Sequence, residues 1–412
     1  MAVSRRGFLS GGAAGVAGTA LAGGLLIGGS RADARAAGTQ GPKTHATYPF
    51  HGEHQSGILT PGPSDKQDFT GVVAYDVVSG TSRAGLQDLL KTLTTRGRML
   101  TAGGAFPDLG PSQTPADSDV LGPNVPADGL TVAVGFGATL FDDRFGLAGR
   151  KPLKLKEMPP FPNDSLDPAW LHGDLLVQFC ANHPDAVHHA MRDVARHTRG
   201  AIQPRWKIEG YSSPPRPSGT SRNLLGFKDG TANPTGSLAP DLVWVYDPKE
   251  PAWAQGGTYQ VVRLIRMLVE FWDRVSINEQ ETMFGRRRDS GAPLDGTSEF
   301  DAPNYKKDPD GNVIPLNSHI RLANPRTHAT ADQRMIRRSY NYDLGIDLNG
   351  NMQAGHIFIA YQQDLERQFE TVQRRLINEP LIDYVQPFGG GYFFVPPAAR
   401  DASDHLGSGL FV

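Results

Sequence analysis

Three side chains of different chemistry stand where the sequence interrupts regular structure. Asp229 lies in Gly226-Phe227-Lys228-Asp229-Gly230-Thr231-Ala232-Asn233-Pro234. Gly230, Asn233 and Pro234 make that stretch a loop, and a glycine-flanked turn lets backbone come close to a large ligand. An Asp-Gly pair is equally the mark of a plain hairpin. His319 opens His319-Ile320-Arg321-Leu322-Ala323-Asn324-Pro325-Arg326, and Arg337 follows in Arg334-Met335-Ile336-Arg337-Arg338-Ser339-Tyr340. A carboxylate can shuttle a proton, a neutral imidazole can hold a metal, and a guanidinium is a permanent cation with several donors. Taken singly, each of the 12 histidines fits a surface or hydrogen-bonded role as well. Neither a His-Glu-x-x-His nor an EF-hand pattern occurs, which leaves other metal sites without support.

The elements that must position these groups read as two similar halves. In the first, 69–78 is a strand, 83–96 a helix with Leu86, Leu89, Leu90 and Leu93 on one face, and 130–136 and 174–180 further strands. A helix over 184–199 and a strand over 202–211 close it. In the second, 258–268 is a strand running into a helix over 269–282. A strand over 356–361, a helix over 365–376 and a strand over 391–395 follow. The pair 174–180 plus 184–199 matches 355–362 plus 365–378 in order and length, which suggests a duplicated α+β unit with antiparallel sheets covered by helices. Between them, 286–318 is a long loop, unusual unless it serves a site, and it ends on His319.

Length and composition bound the rest. A chain of 412 residues, 39% hydrophobic and 20% charged, makes two domains or one large one. The formal charge of −2 gives no reason to expect nucleic acid as a partner. The single cysteine, Cys180, excludes an intrachain disulfide, and its apolar strand-like surroundings suit core packing. At the start, Ser4-Arg5-Arg6-Gly7-Phe8-Leu9, a Gly/Ala-rich apolar stretch and Ala34-Arg35-Ala36 resemble a twin-arginine export signal over 1–36. That stretch is too poor in large aliphatics for a good permanent span, so the mature form is expected to have no stable membrane segment. Residues 37–64 lack periodicity and read as an extended arm, with halves over 65–220 and 221–412.

Four segments in order carry a family resemblance: 226–234 (GFKDGTANP), 318–326 (SHIRLANPR), 335–340 (MIRRSY) and 389–396 (GGGYFFVP). They resemble the signature segments of the dye-decolourising peroxidases, in the exported branch that includes deferrochelatase-like haem proteins. The similarity runs from about residue 65 to the C-terminus. It implies two ferredoxin-like halves of the dimeric α+β barrel type, with haem in the C-terminal one. No Cys-x-x-Cys-His occurs, so the haem would be non-covalently held haem b. The resemblance makes His319 the proximal iron ligand, Asp229 the distal acid–base residue and Arg337 its distal partner. Arg337 and Arg338 are adjacent, and on a strand only one of them can face the iron.

Further assignments follow from that frame. Asp383 is the candidate carboxylate for the other nitrogen of His319, where it would make the imidazole more basic. Phe358 is a candidate lining residue of the distal pocket. Arg222, Arg263 and Arg321 are candidates for the haem propionates. The implied reaction is reduction of hydrogen peroxide, with an oxyferryl species oxidising an unidentified bulky donor such as a dye or phenolic. An aspartate shuttle, with an ordinary pKa about 2.6 units below that of histidine, implies fastest donor oxidation at mildly acidic pH. A rival is an exported haem protein that carries haem or releases its iron, and a third reading has no haem at all. Export by the twin-arginine machinery would place the product outside the cytoplasm, in the periplasm, the cell envelope or the medium.

Overall fold

The computed structural model describes residues 46–412. The twin-arginine segment and residues 37–45 lie outside the described residues. Nine strands form one sheet: β1 (Phe69–Val77), β2 (Thr131–Gly137), β3 (Leu175–Ala181), β4 (Ile202–Tyr211), β5 (Thr258–Met267), β6 (Ile336–Arg337), β7 (Tyr340–Ile346), β8 (Met352–Gln362) and β9 (Val385–Val395). Seven α-helices accompany them: α1 (Arg83–Ala102), α2 (Pro184–His197), α3 (Leu238–Val243), α4 (Val269–Trp272), α5 (Ile277–Phe284), α6 (His319–Ala323) and α7 (Thr371–Leu376).

Strand order shows the duplication directly. The N-terminal strands run β2-β3-β1-β4 and the C-terminal ones β7-β8-β5-β9, all antiparallel. If β6 and β7 count as one strand interrupted at Arg338–Ser339 along β8, each half places its second, third, first and fourth strands in the same order. Each half is therefore ferredoxin-like, and the α+β expectation agrees with it. The two four-stranded sheets join at both edges, through Tyr211 opposite Asn341 and through Phe136 and Gly137 opposite Phe394 and Phe393, closing a barrel.

Every residue of β2 and β3 is buried, because the pleat sends alternate side chains into two different cores. Leu175, Val177 and Phe179 join Leu86, Leu90 and Val194 of α1 and α2 on the outer face. Leu176 and Cys180 point the other way, toward Trp206, Val262, Ile357 and Phe393 inside the barrel. The same alternation puts Ile357 and Ile359 inside the barrel and Phe358 outside it.

The halves differ in what covers the outer face. In the N-terminal half the 20-residue α1 lies over the sheet. In the C-terminal half the corresponding helix, expected over 269–282, is broken into α4 and α5. Ser276 ends the run because its hydroxyl accepts from the Glu279 N–H at 3.3 Å and starts a new helix. The chain then leaves the sheet at Gly285, in the left-handed conformation (φ 80°), for the long loop that returns at α6.

The Gly389-Gly390-Gly391 run in β9 serves close approach. Gly390 has φ 115°, and a Cβ there would stand 2.0 Å from the Val262 carbonyl oxygen. Its own carbonyl accepts from the His172 N–H at 2.8 Å, so the 167–173 loop crosses β9 at this point. Gly390→Ala is expected to destabilise the fold by about 2 kcal/mol or more. A shift of the urea midpoint to lower concentration would show it, and an unchanged midpoint would contradict the reading.

Candidate active site

Asp229 sits in a tight turn. Arg222 and Lys228 bridge as antiparallel partners, the Asp229 N–H donates to the Ser221 carbonyl at 3.0 Å, and Gly230 takes φ 89°. Asn233 then ties this turn to β6. Its side-chain Nδ2 donates to the Arg337 carbonyl at 2.9 Å, while its Oδ1 accepts from the Arg337 N–H at 3.0 Å. The two signature segments are thereby clasped backbone to side chain, a role for Asn233 that its turn-forming character alone did not reveal.

The clasp brings Asp229 and Arg337 to one cavity wall. Arg337 Nη2 stands 3.8 Å from Asp229 Oδ1, loose enough to leave guanidinium donors for another oxygen. His356, on β8, places Nε2 3.2 Å from Asp229 Oδ2. Burial pushes the Asp229 pKa up. The hydrogen bond and charge of His356, with the charges of Arg337 and Lys66, outweigh it and hold the carboxyl well below the usual range. Lys66 approaches from the segment just before β1, its ammonium 4.0 Å above the Tyr340 ring and bonded to the Ser339 carbonyl. Burial lowers the Lys66 pKa to about 8. Arg338, as the alternation required, faces away: it is fully buried and donates to Pro61 O at 2.6 Å and Gln67 Oε1 at 3.1 Å.

His319 lines the same cavity from the first position of α6. Buried Ser318 sets its direction, with the hydroxyl donating to Pro315 O at 2.8 Å. The Nδ1 of His319 is 2.7 Å from Glu379 Oε2, and Glu379 is itself buried. Burial alone would lower the His319 pKa, but the Glu379 carboxylate overrides it and the net shift is upward. The carboxylate partner is therefore Glu379 and not Asp383, which is exposed at the far end of the 3-10 turn Pro380–Asp383. Glu379 precedes the proline that starts this turn, so its side chain is sent inward. Glu379→Gln is expected to leave the fold intact while weakening metal affinity or activity about 10- to 100-fold. Unchanged haem retention together with unchanged turnover would remove Glu379 from the site.

The cavity has a volume of about 270 Å³, and its walls are mostly apolar, with Leu225, Ile265, Phe284, Phe358, Val372 and Leu376 among them. Phe358 lines it as expected. Of the three arginines proposed for carboxylates, only Arg263 lines the cavity. It is buried, paired with Asp164, and its Nη1 has no partner among the described residues. Arg222 instead donates to the backbone carbonyls of Gly226, Arg288 and Asp289. Arg321 binds the loop through Ile314 O at 2.8 Å and Asp308 O at 2.8 Å. Arg326 and Arg334 line the cavity in their place. These residues fit a haem: an imidazole backed by a carboxylate, apolar walls, a distal carboxylate and cation, and buried polar atoms without partners among the described residues, Arg263 Nη1 and His356 Nδ1 among them.

Family models described as Dyp-type peroxidase, N-terminal, and Dyp-type peroxidase, C-terminal, match residues 55–212 and 220–400. The chain belongs to the Dyp-type peroxidase family. Membership makes it a haem-dependent oxidoreductase that uses hydrogen peroxide and a reducing donor. It is 49% identical to a deferrochelatase of Yersinia pestis over 95% of this chain and 92% of that protein. A deferrochelatase of Escherichia coli O6:K15:H31 is 48% identical over 99% of this chain and 96% of that protein. Among solved structures, the DyP-type peroxidase from Cellulomonas bogoriensis is similar at 36% identity and a TM-score of 0.79, covering 89% of this chain and 99% of that one. Ferric DtpA from Streptomyces lividans is similar at 34% identity and a TM-score of 0.78, covering 88% and 96%. Among the described residues of this peroxidase, no helix is long and apolar enough to cross a membrane.

Proposed function

We propose that this chain reduces hydrogen peroxide at a haem b ligated by His319 and passes the oxidising equivalents to bulky donors such as dyes or phenolics. One observation carries the reading: the His319–Glu379 pair and the Asp229–Arg337–His356 group line a single apolar-walled cavity. Haem supplies a redox-active iron and a conjugated ring able to hold oxidising equivalents. Glu379 keeps the imidazole electron-rich and in one orientation. Asp229, held ionised, accepts a proton from the entering peroxide and returns it to the departing oxygen. Arg337 offers a fixed positive charge where negative charge develops. Arg326 and Arg334 are the rim cations for the haem carboxylates, and Arg263 supplies its open Nη1 inside.

Because the Asp229 carboxyl is held below its ordinary pKa, it stays ionised as pH falls through the usual carboxylate range. Donor oxidation is therefore expected to persist at mildly acidic pH, because the distal carboxylate is not lost to protonation there. The paired arginines and apolar stretch over 1–36 support twin-arginine export and a final location in the periplasm, cell envelope or medium. Peroxide-dependent bleaching of an anthraquinone dye by the haem-loaded protein tests the reading, with haem b identified by acid-acetone extraction. Bleaching absent at every pH from 3 to 8 would overturn it.

The relatives named deferrochelatase support a second reading, release of iron from haem with the porphyrin left whole. Chromatography of the pigments after turnover separates the two. Intact haem with oxidised donor supports the peroxidase, and stoichiometric metal-free porphyrin supports iron release.

A further inference from the structure

The distal group has a third member that the reaction as described leaves without a task. His356 points from the outer face of β8 into the cavity, two residues before Phe358 on the same face. Its Nε2 lies 3.2 Å from Asp229 Oδ2, and its Nδ1 is buried with no partner among the described residues. A core histidine held for packing or for backbone satisfaction would have both nitrogens spent on the protein. Here one is given to the carboxylate and the other is left without a partner among the described residues.

We infer that His356 is a positioning residue for the distal carboxylate, donating from Nε2 to Oδ2 so that Oδ1 of Asp229 stays turned to Arg337 and to the entering proton donor. Asp229 has two oxygens, and a carboxylate on a turn would otherwise rotate about its last bond. Arg337 cannot fix it alone, since its nearest nitrogen is 3.8 Å away. With Nε2 committed as donor, the carboxylate plane is set and one oxygen is reserved for chemistry.

The surroundings define what else could act on this pair. Arg337 approaches from β6, and Lys66 acts on Asp229 from the segment just before β1. His319, backed by Glu379, acts on it from α6. On β5, Ile265 lies opposite His356, and Arg263 further along is paired with Asp164. On β7, Asn341 lies opposite and spends its amide on Ser213 Oγ and Arg222 O, at 3.2 and 3.0 Å. Among the described residues, His356 and Arg337 form ion pairs with the Asp229 carboxylate. Removal of His356 therefore takes away the closer of the two, and the depression of the Asp229 pKa relaxes upward.

The inference rests on the peroxidase reading, but its test requires no turnover. Hydrogen cyanide binds ferric haem as the anion and must first give its proton to a group in the cavity, so its association rate reports the distal base. The rate is to be measured by stopped flow on haem-loaded parent, His356→Leu and His356→Gln between pH 3 and 8. Asp229 is ionised throughout this range, so the rate reads how the carboxylate is aimed and not its titration. In His356→Leu the rate is expected to fall about tenfold at every pH in the range, the carboxylate being free to turn from the entering proton donor. In His356→Gln, whose amide nitrogen can take the place of Nε2, the rate is expected within about twofold of the parent. A Leu variant with the parent's rate across the range would overturn the inference. If the Leu variant fails to retain haem, the Gln variant decides alone. A tenfold loss in it would show that a donor at this point does not suffice, and the positioning role falls. Failure of dye oxidation in all three proteins, with the cyanide pattern intact, would count against the peroxidase reading and not against His356.

Discussion

Replacing His319 with alanine is expected to abolish haem retention while the chain stays folded and soluble. The imidazole is the one ligand-type side chain in the cavity with a buried carboxylate fixing its other nitrogen, Glu379 at 2.7 Å. His356, the other cavity histidine, is engaged with Asp229. α6 is short and held by the Ser318 turn and by Arg375, which donates to Leu322 O at 2.8 Å, so the substitution removes a ligand without removing a core residue. Haem content by absorbance after gel filtration, beside far-ultraviolet circular dichroism, checks both halves of the expectation. Full haem occupancy with an unaltered ferric spectrum would take His319 out of the site and make His356 the next ligand to test.

The second large effect separates the two distal residues. Arg337→Leu is expected to slow the peroxide-consuming step by at least about a hundredfold, the loss typical of one preorganised donor at developing charge. Asp229→Asn is expected to slow it less. Asp229 is held so firmly ionised by His356, Arg337 and Lys66 that it is a weak proton acceptor, and water in the cavity can carry a proton in its stead. Water cannot replace a cation. Stopped-flow rates at matched haem content decide the order. A parent-like rate in Arg337→Leu beside a slow Asp229→Asn would reverse it and put proton transfer first.

Much of this was legible in the sequence, and the reasons differ by feature. β1, β2 and β3 announce themselves because both faces are buried and their residues run almost without a polar break, whereas β4 exposes one face and shows through alternation. β7 was missed since Tyr340–Ile346 turns outward after three buried positions and ends exposed. The helix over 269–282 was read as continuous because its apolar spacing survives the interruption, while the Ser276 cap is a local hydrogen bond that spacing does not show. Strand alternation said that only one of Arg337 and Arg338 can face the site, and the resemblance named Arg337. The choice among carboxylates had no such guide: Glu379 and Asp383 flank the same short turn, and only the direction of that turn separates them. Arg222 and Arg321 show why long side chains resist placement from sequence. Each is near the site in the chain, yet backbone carbonyls of the loops claim its donors. The place of His356 in the distal group does not show in the sequence, because its partner Asp229 comes from a turn more than a hundred residues earlier.

Asn233 and the triple glycine illustrate how the signature segments act together. The first holds the Asp229 turn against β6 through both of its amide atoms, and the second lets the 167–173 loop cross β9. Neither touches the chemistry. Asn233 sets the distances on which the distal group depends, and its loss would be felt as misplacement of Asp229 and Arg337.

The most direct test of the central claim is a single-turnover spectrum. Haem-loaded protein at mildly acidic pH is mixed with one equivalent of hydrogen peroxide, and the Soret band is followed by stopped flow before and after addition of a reducing dye. The account predicts a rapid loss and shift of the ferric band that the dye reverses, with the dye bleached in proportion and the haem recovered intact. A ferric band that does not respond to peroxide, or that decays irreversibly to metal-free porphyrin, would contradict it.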